Sequence, residues 1–151
     1  MHAVVEIGAP TLWFWPNVDA GGDATSNGIR TFREERDVSN IHFFKNMAPT
    51  DFLRLLVNSR CLLGNSSVGL RECSYLAVPA VNIGTRQEGR DRGTNVVDVD
   101  YDSDAIVKAV RAQLDGPRPE RDGLYGDGRA GPRIADVLAT ADLTFEKRLR
   151  Y

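Results

Sequence analysis

The run Gly64-Asn65-Ser66-Ser67-Val68-Gly69-Leu70-Arg71-Glu72 sets two adjacent hydroxyls, a glycine and a carboxylate in one short stretch. Cys61-Leu62-Leu63 before it predicts the end of a buried strand, and Val68, Leu70 and Leu76 predict a helix over 68–76. A strand-to-helix turn presents unpaired backbone N–H groups and the positive end of the helix dipole, both of which favour an anion. Ser66 and Ser67 add hydroxyl donors to that anion. A carboxylate beside a phosphate would be repelled, so Glu72 needs a different partner. It lies one helical turn beyond Gly69 on the same face, and helical side chains lean toward the N-terminus. With no side chain at Gly69 in the way, the carboxylate reaches past the phosphate to the hydroxyls of a ribose. Together these groups describe a holder for a nucleoside diphosphate.

A serine before a helix also serves simply as its cap. Here Gly69 and Leu70 stand where the Glu or Gln of a capping box would be. A glycine in the first turn costs about 1 kcal/mol relative to alanine, which points to close approach by a ligand or another backbone.

The elements around this turn alternate. A helix tail over 3–7 closes at Gly8, with Pro10 just after it, and reads as the continuation of something longer. An aromatic strand over 11–15, of the kind buried on both faces of a parallel sheet, follows. Next come a helix over 23–36, a strand over 41–44, a helix over 49–59 and a strand over 60–63. The helix at the serine turn, strands over 79–83 and 96–99, and an amphipathic helix over 102–114 complete the alternation. This order predicts an α/β fold, a Rossmann-like parallel sheet with helices on both faces. The stretch 116–131, rich in Gly, Pro, Arg and Asp, reads as an exposed, mobile loop. Two short helices over 132–141 and 143–151 close the chain. Residues 1–151 thus form one domain, with 1–10 as the tail of an interdomain helix or linker.

Ligands in open parallel sheets bind beyond the carboxyl ends of the strands. Asn17 and Asp19 follow the first strand, Lys45-Asn46-Met47 the second, the serine turn the third and Gly84-Thr85-Arg86-Gln87 the fourth. Each has a plainer reading: Asn17 and Asp19 as turn formers, Lys45 as a solvated lysine, Arg86 and Arg90 as partners of Glu88 and Asp91. Arg86, beside a glycine at a strand end, favours contact with a phosphate or acidic ligand. His42, inside a strand, is read as structural.

At 151 residues the chain is large enough to bury about two-thirds of its unfolded surface without a disulfide or metal. The net charge of −2, with basic residues interspersed among acidic ones, excludes a nucleic-acid face. Cys61 and Cys73 lack metal-ligand spacing and read as packed thiols, which fits a reducing cytoplasm. No apolar run is long enough to span a membrane, and no signal pattern is present. Neither a cofactor nor a metal is expected.

The motifs at positions 16–21, 64–72, 79–90 and 93–96, followed by Tyr125-Gly126-Asp127-Gly128 and Pro132-Arg133-Ile134, resemble the C-terminal half of the UDP-N-acetylglucosamine 2-epimerases. The likeness runs from about Thr11 onward and is nearest to the hydrolysing, sialic-acid-pathway branch. It implies the C-terminal half of a glycosyltransferase-B type fold, two Rossmann-like domains across a cleft, with UDP held mainly by the second. On that resemblance Ser66 and Ser67 contact the diphosphate and Glu72 the ribose, the Met47 backbone meets the uracil edge, and Asn17 and Arg86 line the cleft. In the family UDP is eliminated from UDP-N-acetylglucosamine; water then adds to give N-acetylmannosamine, or UDP re-adds in the non-hydrolysing branch. The proton-transfer residues belong to the N-terminal half and hinge, so no catalytic residue is assigned here and the chain alone is expected to be inactive. The implied partners are UDP or UDP-N-acetylglucosamine and the missing N-terminal epimerase domain. Leu143, Phe145 and Leu149 supply an apolar docking face that would favour a homo-oligomer in its absence. Two other readings stay open: the C-terminal domain of a glycosyltransferase-B type glycosyltransferase, against which Gly84-Thr85-Arg86-Gln87 speaks, and a stand-alone nucleotide-sugar-binding module.

Overall fold

A computed structural model describes residues 1–16 and 22–142. The expectations for Asn17, Asp19 and the segment 143–151 fall outside them. Helix α1 (His2–Ile7) ends where Gly8, at φ 72°, turns its N–H back to the Val4 carbonyl. Strand β1 (Thr11–Phe14) pairs in parallel with β2 (Ile41–Phe44), the chain crossing between them through α2 (Gly22–Glu35). Helix α3 (Pro49–Asn58), begun by a proline in its first turn, leads to β3 (Leu62–Gly64). A single 3-10 turn (Ser67–Gly69) and the one-turn α4 (Glu72–Tyr75) follow, then β4 (Ala80–Ile83) and β5 (Val96–Val99). Helix α5 (Ser103–Asp115), capped by the Asp102 carboxylate accepting from the Ala105 N–H at 2.7 Å, packs on β4 and β5.

Every strand pairing is parallel and helices cover both faces, as the alternation predicts. The sheet, however, is divided: β1 and β2 form one pair, and β3, β4 and β5, in that order, form another sheet. The core sits under the second, where Leu56, Cys73, Val78 and Ala80 are buried together with Phe52, Leu62, Val68, Leu76 and Val96 around them. Burying each large aliphatic side chain there contributes about 1.5–3 kcal/mol.

Three local expectations change. Strand β1 is half-buried rather than covered on both faces, with Leu12 40% exposed, and among the described residues it pairs with β2 alone. The helix expected over 68–76 breaks into the 3-10 turn and α4, with Leu70 wholly buried at the junction. The stretch 116–131 is exposed but tethered. Arg118 donates to the Val57 and Ser59 carbonyls at 2.9 and 2.6 Å, satisfying acceptors at the end of α3. The Asp122 N–H donates to Ser74 O at 3.1 Å, Arg121 lies 5.0 Å over the Tyr75 ring, and the Tyr125 hydroxyl donates to Asp91 O at 2.9 Å. Composition marks such a segment as irregular; it does not show that its arginines close open carbonyls elsewhere. Helix α6 (Ala130–Thr140) carries Ile134, Val137 and Leu138 exposed.

Burial pushes the Cys61 thiol up to about 11 and the Cys73 thiol up to about 12, the latter helped by the negative charge of neighbouring Glu72. Both thiols therefore stay protonated at neutral pH. In the folded chain at pH 8 they should react with a disulfide reagent at least about 100-fold more slowly than in denaturant. Rapid labelling of either without denaturant would show that the core opens locally.

Candidate nucleotide-binding site

The serine turn leaves β3 at Gly64, whose φ of 148° is a backbone angle that side-chain-bearing residues rarely adopt. Ser66 then caps the 3-10 turn, its Oγ accepting from the Val68 N–H at 3.4 Å. Asn65 and Ser66 are exposed and Ser67 is half-buried. Among the described residues neither the Ser66 nor the Ser67 N–H has an acceptor, so both donors stand open beside the two hydroxyls. Gly69 lies against the sheet, where a Cβ would stand 3.4 Å from the Ala80 Cβ and 3.5 Å from the Leu62 Cδ2, ordinary contact distances.

Glu72 opens α4, and its Oε2 is buried with no hydrogen-bond partner among the described residues. An ionised oxygen in that state costs free energy unless something donates to it. The turn is held by groups from the other loops. The Gln87 side chain, buried, donates from Nε2 to Asn65 O at 2.8 Å. The Gln87 backbone carbonyl accepts from Arg92 Nη1 at 2.8 Å. Arg92 in turn forks onto Asp98 of β5, Nε to Oδ2 at 3.0 Å and Nη2 to Oδ1 at 3.2 Å, and it also donates to Arg90 O. Asp98 accepts a further bond from Asn82 Nδ2 at 2.6 Å. The Arg92 fork holds the Asp98 carboxyl below its usual range and raises the guanidinium in return. This pair is partly exposed and adds at most about 1 kcal/mol of stability, so its main effect is geometric. It connects β5 through the 84–92 loop to the serine turn.

Asn95 fixes the turn from below. It is 2% exposed and donates from Nδ2 to Gly69 O at 2.9 Å and to Val78 O at 3.1 Å. The space around it is tight, since a Cβ on Gly93 would meet Ser74 Oγ at 2.6 Å and Asn95 Oδ1 at 2.9 Å. The sequence marks Asn82, Gln87 and Asn95 only as motif letters, without a role, and the Arg92–Asp98 pair not at all. The signal for Asn82 was present, an amide inside the apolar run Pro79-Ala80-Val81-Asn82-Ile83.

Ser66 and Ser67 thus open the 3-10 turn and Glu72 opens the helix after it, with the 84–92 loop tied to Asn65 through Gln87. Arg86 is exposed on that loop. Met47 leaves β2 in the other sheet, and its N–H is taken by Asn46 Oδ1 at 2.8 Å, so a base edge reaches that donor only by displacing Asn46. Asn17 is outside the described residues. His42 is exposed on β2.

A family model described as UDP-N-acetylglucosamine 2-epimerase matches residues 2–139. The chain belongs to that family. It is 37% identical over 128 residues to a UDP-N,N'-diacetylbacillosamine 2-epimerase (hydrolyzing) of Legionella pneumophila, an overlap of 85% of this chain and 33% of that protein. With a UDP-N-acetylglucosamine 2-epimerase of Neisseria meningitidis it shares 28% identity over 134 residues, 87% of this chain and 34% of the relative. The crystal structure of the Methanocaldococcus jannaschii UDP-GlcNAc 2-epimerase in complex with UDP-GlcNAc and UDP superposes on 93% of this chain and 39% of that one, with a TM-score of 0.69 at 20% identity. The fold is therefore that of part of this 2-epimerase, half of a glycosyltransferase-B type fold. The epimerase-family chain spans about a third of the length of the curated relatives it matches. None of its described helices is long and apolar enough to cross a membrane.

Proposed function

We propose that this chain is the UDP-holding, C-terminal part of a UDP-N-acetylglucosamine 2-epimerase of the hydrolysing branch. The observation that carries the reading is the buried, unpartnered Glu72 Oε2 at the start of α4, the element that follows the 3-10 turn capped by Ser66. A ribose hydroxyl supplies the donor that this oxygen lacks. The open N–H groups and hydroxyls of Ser66 and Ser67 receive the diphosphate, whose charge grows as the bond to the sugar breaks. Fixed donors that need no reorganisation at that moment are the economical way to stabilise a leaving group. Arg86 adds positive charge at the edge, and Met47 and Asn17 complete the base and sugar sides. The hydrolysing branch is favoured by the 37% identity to a relative of that description. Removal of the sugar proton needs a separately positioned base, which this reading assigns to polypeptide that the chain does not span. The free, packed thiols of Cys61 and Cys73 fit work in a reducing cytoplasm.

Titration with UDP followed by amide NMR tests this. The expected result is shifts concentrated at 64–72, 84–92 and Met47, with inorganic pyrophosphate moving the serine turn and leaving Met47 in place. Shifts confined to other surfaces would sink the proposal. Incubated with UDP-N-acetylglucosamine in heavy water, the purified chain should leave the sugar C2 proton unexchanged; deuterium there would place the base within these residues.

A further inference from the structure

The 84–92 loop stands out from the end of β4 as an exposed arm: of residues 85–91 only Gln87 is buried. Two turns shape it, the Glu88 N–H donating to Thr85 O at 2.9 Å and the Arg90 N–H to Gln87 O at 3.4 Å. On its inner side Gln87 Nε2 holds Asn65 O, next to Ser66, and Arg92 clasps the Gln87 and Arg90 carbonyls. On its outer side the Tyr125 hydroxyl donates to Asp91 O at 2.9 Å.

The segment that carries Tyr125 also grips the helix that Glu72 opens. The Asp122 N–H donates to Ser74 O at 3.1 Å, and the Ser74 hydroxyl donates back to Asp122 O at 3.5 Å. Between the two anchors the segment is stiffened by its own bonds, Asp122 Oδ1 accepting from the Leu124 N–H and Gly123 O from the Gly126 N–H, each at 2.8 Å. Its fit at α4 leaves little play: a Cβ on Gly93 would stand 2.6 Å from Ser74 Oγ and 3.2 Å from Asp122 Oδ2. The contacts therefore close a ring. It runs from Asn65 through Gln87, Arg92 and Asp91 to Tyr125, then through Asp122 and Ser74 to Glu72, and back along the serine turn.

We propose that Tyr125 is a positioning residue for nucleotide binding, which rests on the UDP-holding reading: by closing this ring it sets the distance between the serine turn that receives the diphosphate and the Glu72 carboxylate that receives the ribose. Tyr125 touches no ligand in this scheme and acts through Asp91. Its hydroxyl bond faces solvent, the residue being 41% exposed, so water competes for both groups and losing the bond changes global stability little. Ligand geometry is more sensitive. A ligand that spans two groups on separate elements binds well where their spacing is held to within about 0.5 Å by supporting hydrogen bonds. One that meets only the serine turn is indifferent to that spacing.

Tyr125→Phe removes the donor and keeps the ring. Titrated with UDP, the 151-residue chain carrying it is expected to bind about 3- to 10-fold more weakly than the parent, with Tm within about 2 °C. Inorganic pyrophosphate, which needs the serine turn alone, should lose less than about 2-fold, and in a Glu72→Ala background Tyr125→Phe should cost UDP nothing further. Equal losses for UDP and pyrophosphate, or the same loss with and without Glu72, would overturn the proposal. Amide exchange gives a readout that needs no ligand: in Tyr125→Phe the Glu88 and Arg90 amides should exchange about 5-fold or more faster while those of α5 keep their protection. Loop amides as protected as in the parent would overturn the proposal by themselves. A loop that loosens in a chain with no measurable affinity for UDP would instead sink the nucleotide reading and leave the tether standing, so the two failures stay apart.

Discussion

Replacing Glu72 by alanine is expected to weaken UDP binding by about 10-fold or more while leaving the affinity for inorganic pyrophosphate close to that of the unaltered chain. A hydrogen bond to a charged group is worth about 1.5–3 kcal/mol, which converts to roughly 10- to 150-fold in Kd. The pyrophosphate comparison isolates the ribose, since the serine turn that receives the phosphates is untouched. Stability should move the other way or not at all. Glu72 Oε2 is buried without a partner, so its removal relieves a desolvated oxygen rather than breaking a bond. A variant that loses UDP affinity with Tm unchanged or raised would mark Glu72 as a group kept for the ligand at the expense of the fold. Calorimetry showing equal losses for UDP and pyrophosphate, or a Tm that falls along with affinity, would place Glu72 in a structural role instead.

Replacing Asn95 by alanine should have the largest effect on stability, about 2–4 kcal/mol. One buried Nδ2 serves both Gly69 O and Val78 O, and its loss leaves two buried carbonyls without a donor. For a domain of this size that corresponds to a fall in Tm of roughly 5–15 °C. Asn95→Asp should cost at least as much despite its matching shape, since an ionised carboxylate in that place cannot donate and carries charge into the interior. Because Gly69 ends the turn that begins at Ser67, amides at 66–70 should also exchange faster than in the unaltered chain at temperatures well below Tm. Thermal unfolding within about 1 kcal/mol of the parent, with those amides still protected, would show that water reaches the two carbonyls readily.

The fold's element order was legible because each element carries its own period. Strand β2 appears at residues 41–44 as expected, and α1 stops where Gly8 provides the left-handed turn that other residues avoid. The serine turn was legible for the same local reason, two hydroxyls between an apolar strand end and a buried leucine. What stands around the turn was not. Gln87 lies 22 positions from Asn65 and Asn95 lies 26 from Gly69, and no local pattern links residues so far apart in the chain. Gly69 shows the limit as well: the sequence pointed to close approach by a ligand or another backbone, and the structure sets the side chains of Ala80 and Leu62 beside it at ordinary contact distance.

By itself the sequence determined a parallel α/β fold, the strand ends that carry polar groups, and a resemblance that the family match supports. These follow from short-range periodicity and from contiguous motifs, both of which survive in a linear string. Tertiary structure alone decided that α4 shrinks to one turn, that the 116–131 stretch is tethered through Arg118, Asp122 and Tyr125, and that one oxygen of Glu72 is buried without a partner. It also decided that the strands fall into two sheets. Hydrogen-bond pairing between strands depends on which edges meet in space, and a sequence gives each strand's faces but not its neighbours.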